Sequence, residues 1–279
     1  MKIVKNSGNI VEFDLNKLRK SLMKSGASAM AVDTILHAIK EKLYEGISTK
    51  QIYKMAFSLL KKLANSHAAR YNLREAIRLL GPDGFFFEKY IARLFSYENY
   101  KTVTNLTLQG KCVSHEIDVL IKKNDVVAMV ECKYHAGRDV ASDVKVPMYI
   151  LSRFNDIRER NQPIFDKKNL VSKCWIVTNN RFTADAIAFA KCSGLSMLSW
   201  NYPEDNSLKT KNDSHYLYPV TCLTTLSIAE KEKLLILDVI LVKEVINNSD
   251  ALNRIGLSSN RIKNVLKEAS ELSGYIKKE

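Results

Sequence analysis

Polar and apolar residues alternate across residues 2–14, on either side of Asn6-Ser7-Gly8-Asn9, which predicts a β-hairpin with a glycine available for positive φ. The period then changes. From Leu15 to Ser25, Ala29 to Tyr44, Thr49 to Ala64 and Ser66 to Leu80 the apolar residues recur at helical spacing, with Asp14 and Ser48 placed as N-caps. Gly81-Pro82-Asp83-Gly84 breaks the pattern and marks a first domain boundary. Beyond it, "FFFEKYIARLFSYENY" reads as an amphipathic helix with Phe87, Ile91, Leu94 and Phe95 on one face. Residues 101–108, 115–121 and 126–134 read as strands, the last two joined by a turn at 122–125. A long helix from Ala141 to Arg160, a buried strand "CWIVTN", a helix "TADAIAFAKCSG" and a strand "LSMLSW" follow. Strand, helix, strand in that order predicts a crossover unit, and hence a mixed sheet flanked by helices. The polar stretch 202–215 suits a surface loop, and from Ser227 onward the pattern is helical, with "IGLSSNRIKNVLKEASEL" supplying a turn, a serine cap and a second helix.

Composition narrows the class. The 279 residues are 46% hydrophobic and 26% charged, which excludes a disordered chain, and no apolar run approaches the ~20 residues of a membrane span. The opening "MKIVKNSGNI" lacks a signal-peptide core, so a cytoplasmic address is expected. Five cysteines, widely spaced and without a CxxC pair, indicate reduced thiols and not a disulfide framework or structural zinc site. A formal charge of +13 favours a polyanionic partner. The excess is uneven: +8 over residues 1–85, +4 over 86–220 and +1 over 221–279.

The unusual polar residues lie in "HEIDVLIKKNDVVAMVECKYH". On a strand, residues two apart share a face, so Glu116 and Asp118 point one way, and Glu131 and Lys133 share a face of the next strand. The short turn makes the strands antiparallel, so Asp118 can approach Glu131. Two carboxylates there repel unless a cation sits between them, and oxygen ligands at a half-hydrated site suit Mg²⁺ or Mn²⁺. A lysine beside that site can stabilise developing charge on a phosphoryl oxygen. The plainer reading of the same residues is a set of cross-strand ion pairs on a solvated face.

Four segments in order, "GFFFEKYIARLFSYENYKTVTN", "EID", "VECKYH" and "WIVTNNRFTADAIAFAKCSGLSMLSW", resemble the Mrr-type restriction endonuclease domain of the PD-(D/E)xK nuclease superfamily across about residues 84–203. The resemblance implies Asp118 and Glu131 as metal ligands, Lys133 as the catalytic lysine, and Glu88 as the first-helix glutamate, which joins the metal site or is a solvated helix charge. Many members carry a Gln-centred motif in the helix after E-x-K. Here "SDVKVPMYILSRF" has none, and Asp143, Lys145 and Tyr149 occupy the region. His135 is a candidate phosphate contact or a simple hydrogen-bond partner, and Arg181 in "TNNRFT" a candidate DNA contact or part of a helix cap.

"VKNSGNIVEFDLNKLRKSL" followed by "GISTKQIY" resembles the ATP-cone, a nucleotide-binding regulatory domain, over about residues 1–80. Val4, Lys5 and Gly8 match its hairpin, Lys17 its helix lysine and Thr49 its hydroxyl residue, implying a site for ATP or dATP; Asn6 and Ser7 depart from its basic-acidic pair. A basic domain that contacts only DNA backbone is the rival reading.

The expected organisation is an ATP-cone-like domain at 1–83, mainly helical; a mixed-sheet α/β endonuclease core at 84–220; and a helical segment at 221–279. The third is either helix-hairpin-helix-like or a packing or dimerising cap. The expected function is Mg²⁺- or Mn²⁺-dependent hydrolysis of DNA phosphodiesters, restriction-type and regulated by nucleotide, in a homo-oligomer without membrane contact. A Holliday-junction or repair nuclease, and a non-catalytic nucleotide-responsive DNA-binding regulator, are the alternatives.

Overall fold

The computed structural model describes residues 1–5, 7–138 and 140–274. Asn6 of the expected hairpin turn and residues 275–279 of the expected third segment lie outside the described residues. The chain forms two compact units, one built from Met1–Ala76 together with the segment from Tyr218, the other from Ile77–Leu217.

The first unit opens on an antiparallel hairpin of β1 (Lys2–Val4) and β2 (Ile10–Glu12), with Gly8 at φ +83 as the turn requires. Helices α1 (Leu15–Lys24), α2 (Ala29–Lys40) and α3 (Thr49–Leu63) follow. Asp14 caps α1 by accepting from the amides of Asn16 and Lys17, and Ser48 caps α3 in a capping box with Gln51. The apolar stripes meet in one core, where Leu18, Leu22, Ile35, Ile39, Ile52 and Leu60 pack together. Helix α2 stops at Lys40, short of Tyr44, because the chain must turn back to let the Val4 amide donate to the Ile47 carbonyl at 3.1 Å. The expected helix 66–80 is two, α4 (Asn65–Tyr71) and α5 (Leu73–Arg78), separated at Asn72, whose side chain accepts from the Tyr53 hydroxyl.

In the second unit, α6 (Phe85–Tyr97) precedes β3 (Lys101–Gln109), β4 (Ser114–Lys123) and β5 (Val126–Lys133). The strands run to a two-residue turn, with Asn124 at φ 54. Next come β6 (Ala141–Ser142), α7 (Lys145–Ile157), a hairpin of β7 (Gln162–Ile164) and β8 (Lys167–Asn169), β9 (Val171–Thr178), β10 (Arg181–Phe182), α8 (Ala184–Cys192), β11 (Ser196–Leu198) and α9 (Leu208–His215). The main sheet has the order β11-β9-β5-β4-β3, with β3, β4 and β5 antiparallel and β5, β9 and β11 parallel. This is the mixed sheet that the pattern predicts. Ile150, Phe154 and Ile157 of α7 and Ala186 and Ala190 of α8 pack with Ile117, Met129 and Ile176 of the sheet. Phe95 of α6 meets Trp175 edge-on at 5.6 Å.

Two expectations fail here. Helix α7 begins at Lys145 and not at Ala141, because Ala141 and Ser142 pair in parallel with β10. The polar stretch 202–215 is not all loop: Ser207 caps α9, which buries Leu208, Lys211 and Asn212, the last two through Glu98 and the Tyr90 hydroxyl. Two of its three buried residues are polar, so no apolar period announces it.

The chain then returns to the first unit as α10 (Ile228–Ile236), α11 (Val242–Asn247), α12 (Asp250–Arg254) and α13 (Ser259–Leu272). Glu268, 2% exposed, fixes α13 by accepting from the amides and hydroxyls of both Thr224 and Thr225.

One clamp sets the position of α7. Asp156 in its last turn accepts from the Cys112 amide at 2.8 Å, the Val113 amide at 3.3 Å and His115 Nε2 at 2.8 Å, so the helix is tied to the loop that starts β4. Those donors, His115 first, hold its carboxyl well below the usual carboxylate range. A depressed folded pKa contributes stability that is present above the unfolded value of about 4 and is lost as pH falls toward the folded one. Asp156→Asn is therefore expected to lower the thermal midpoint at pH 7 and to flatten its decline below about pH 4, as a melting series from pH 7 to pH 2 would show.

Candidate active site

The register that pairs Val119 with Val130 places Asp118 opposite Glu131 when continued by one residue. Glu131 is 6% exposed in the centre of the sheet, flanked by β4 on one side and β9 on the other. The Asp118 carboxylate accepts from the Cys132 amide at 2.6 Å. Glu88 joins them from the first turn of α6, whose cap residue Gly84 has φ +88; a Cβ there would stand 3.4 Å from the Cβ of Tyr134. Glycine is needed there for its positive φ, from which α6 starts and carries Glu88 in its first turn.

The electrostatics report the crowding. Burial, then the Asp118 charge, pushes Glu131 up to about 7 despite Arg153. Burial, then Asp118 and Glu116, pushes Glu88 up to about 7. Asp118 is also raised, mainly by burial, with the Cys132 amide and Arg153 opposing.

Lys133 is exposed two residues along β5, and its charge pulls down both Asp118 and His135. His135 is lowered, first by burial and then by Lys133, and its Nε2 lies 2.8 Å from the Ser142 hydroxyl. That is the hydrogen-bond role. In the "TNNRFT" segment Arg181 is exposed, while its neighbours are used internally. Thr183 caps α8, Asn179 exchanges two hydrogen bonds with the His135 backbone at 2.8 and 2.9 Å, and Asn180 donates to the Gly137 carbonyl.

Pattern reading missed Arg153. Its Nη1 donates to Glu131 Oε2 and its Nη2 to the Glu116 carbonyl, so one guanidinium bridges β4 and β5. The available signal was its place beside the stripe Ile150–Phe154–Ile157, since a charge at the border of an apolar helix face needs an acid across from it. Of the three residues expected in that region, Tyr149 lies over the guanidinium at 5.7 Å, while Asp143 accepts from the Lys145 amide at the start of α7.

Glu131 Oε1 is buried and has no hydrogen-bond partner. An orphaned carboxylate oxygen facing a second carboxylate is a donor set for a hard cation, and Mg²⁺ binds through one or two carboxylates with waters completing its shell. Among the described residues, no three His, Cys, Asp or Glu side chains stand together as a ready-made metal cluster. The fit is therefore to an ion held by Asp118 and Glu131, with Glu88 alongside.

In the first unit, Val4 bridges to Ser48, beside Thr49 at the start of α3. The Lys5 amide donates to the Asn9 carbonyl at 2.8 Å and its side chain is exposed, while Lys17 sits on α1 with its ammonium 3.7 Å from Asp14. Hairpin and α3 terminus thus bring Val4 and Thr49 together; Lys17 is drawn to its helix cap.

Comparison with known proteins agrees with this architecture. Residues 1–76 match the ATP cone domain, residues 79–201 the restriction endonuclease family, and residues 218–273 the AF1548-like C-terminal family. An uncharacterized protein of Archaeoglobus fulgidus is 31% identical over 188 residues, 66% of this chain and 100% of its own length. The crystal structure of protein AF1548, of unknown function, is similar with a TM-score of 0.56 at 30% identity, covering 68% of this chain and 98% of that one. The chain belongs to the AF1548-like family. It carries an ATP cone domain followed by a restriction endonuclease domain, the order that the two resemblances implied. No helix among the described residues of this AF1548-like protein is long and apolar enough to cross a membrane.

The raised acids make a prediction with a definite sign. A carboxyl whose folded pKa is raised contributes stability present below its unfolded value of about 4.3 and lost as pH rises through the folded value, here about 7 for Glu88. In chelator, Glu88→Gln should melt higher than wild type at pH 8, by about 2–4 °C, and show little difference at pH 4. Differential scanning calorimetry at the two pH values tests this; an equal shift at both would contradict it.

Proposed function

We propose that this protein is a divalent-metal-dependent DNA endonuclease, restriction-type, whose cleavage is controlled by ATP or dATP at its ATP cone domain. The observation that carries the reading is the buried, unpartnered Oε1 of Glu131 opposite Asp118, with the exposed Lys133 next along the same strand. In this reading Asp118 and Glu131 hold Mg²⁺ or Mn²⁺, and Glu88 adds charge from α6. Bound there, the ion supplies positive charge to a phosphoryl oxygen and lowers the pKa of a bound water.

The remaining work belongs to side chains. Lys133 presents its ammonium where charge develops on the scissile phosphate, and its exposure leaves it accessible to a backbone as large as duplex DNA. His135 is anchored to Ser142, which keeps the loop after Lys133 in place. Nucleotide control follows if ATP or dATP, bound near Val4, Lys5, Lys17 and Thr49, has different affinities for two arrangements of the chain. The net +8 of residues 1–85 favours an anionic ligand there.

Full-length protein should nick or linearise plasmid DNA with Mg²⁺ or Mn²⁺. Asp118→Asn, Glu131→Gln and Lys133→Ala should each slow this by about a hundredfold or more, and ATP or dATP should change the wild-type rate. Branched DNA in parallel reactions identifies a junction nuclease if it is cut in preference to linear duplex. Intact plasmid and branched DNA at saturating Mn²⁺, with and without nucleotide, would refute the catalytic reading.

A further inference from the structure

We propose that Arg153 is a positioning residue for the metal-binding carboxylate: it pins Glu131 by one oxygen so that the other faces the cation. The inference rests on the metal-site reading above and concerns a residue outside the E-x-K strand.

The guanidinium is held at two points. One nitrogen donates to Glu131 Oε2 and the other to the backbone carbonyl of Glu116, so its plane is fixed against both strands. Both side chains of the pair are largely buried, 15% and 8% exposed. Tyr149 covers one face of the guanidinium at 5.7 Å, and the Asp156 clamp fixes the helix less than one turn further on. A fork held this way fixes the rotamer of its carboxylate, which is what outer-layer hydrogen bonds do for metal ligands.

The opposite role, a resident cation that leaves when metal enters, is disfavoured by the same contacts. Departure would leave Glu131 Oε2, on a side chain only 8% exposed, without its donor, and a buried acceptor without a donor is costly. Nor does Arg153 satisfy the cluster. Its single charge acts on both Asp118 and Glu131, and Glu131 Oε1 remains unpartnered beside it. The arginine and a divalent ion therefore use different oxygens of one carboxylate.

The test is Mn²⁺ binding to the full-length protein without DNA, read by the electron paramagnetic resonance of free Mn²⁺. Asp118→Asn serves to locate the site. Arg153→Met should weaken Mn²⁺ binding by about 10- to 100-fold. Arg153→Lys, which keeps the charge but cannot fork to two acceptors, should also weaken it, by about tenfold. Tighter or unchanged binding in Arg153→Met overturns the proposal in favour of displacement. Wild-type binding in Arg153→Lys overturns it in favour of charge alone, and that variant decides the matter if Arg153→Met does not fold. If wild type binds no Mn²⁺, or Asp118→Asn leaves its binding unchanged, the metal-site reading itself fails and this inference with it.

Discussion

The placement of Glu131 between β4 and β9, directly opposite Asp118, is the constraint around which the second unit is arranged. A buried carboxylate is costly, and a second one across the ladder raises the cost. Each neighbouring feature answers part of it. The Cys132 amide turns toward Asp118, the Arg153 guanidinium takes Glu131 Oε2, and α7 is held in place for that contact by Asp156 and its three donors. What is left over is one carboxylate oxygen and an excess of negative charge. A sheet that needed only to be stable would have used apolar residues at these positions, as it does at Val119 and Val130 beside them.

The same economy shapes the end of the sheet. Strands β5 and β9 run parallel, so their C-terminal ends leave the core side by side, Lys133 next to Thr178. Loops leaving parallel strands carry unpaired backbone groups, and here the paired hydrogen bonds of Asn179 with His135, and of Asn180 with Gly137, satisfy them. The buried asparagines thereby hold the segment after Lys133.

Legibility in the sequence followed chemistry that repeats with a period. The hairpin, the strands β3 to β5 and the E-x-K spacing were readable because alternation and turn residues are local. The facing of Asp118 and Glu131 was readable because a short turn fixes antiparallel register. Helices were misjudged where local and tertiary preferences diverge: Ala141 and Ser142 are compatible with a helix but pair with β10, and α9 buries polar side chains whose partners, Glu98 and Tyr90, lie far away in sequence. Arg153 escaped for the same reason. Its meaning lies wholly in what stands opposite, 22 residues away along the chain.

Chain order and spatial order also part company, and this bears on regulation. Residues from Tyr218 onward pack with the ATP cone region in one unit, so the endonuclease unit is inserted within the other and is covalently joined to it at both ends. The return is well anchored: Arg70 of α4 donates to the Glu271 carbonyl at 3.0 Å, Lys61 of α3 to the Thr224 carbonyl at 3.0 Å, and the Thr221 hydroxyl to the Ala76 carbonyl at 2.6 Å. A nucleotide-driven rearrangement of α3 and α4 would therefore act on the segment that receives the chain back from the endonuclease unit, as well as on the one that leads into it. Coupling through such a frame needs no contact with Asp118 or Glu131, only two arrangements of the helices that hold both crossings.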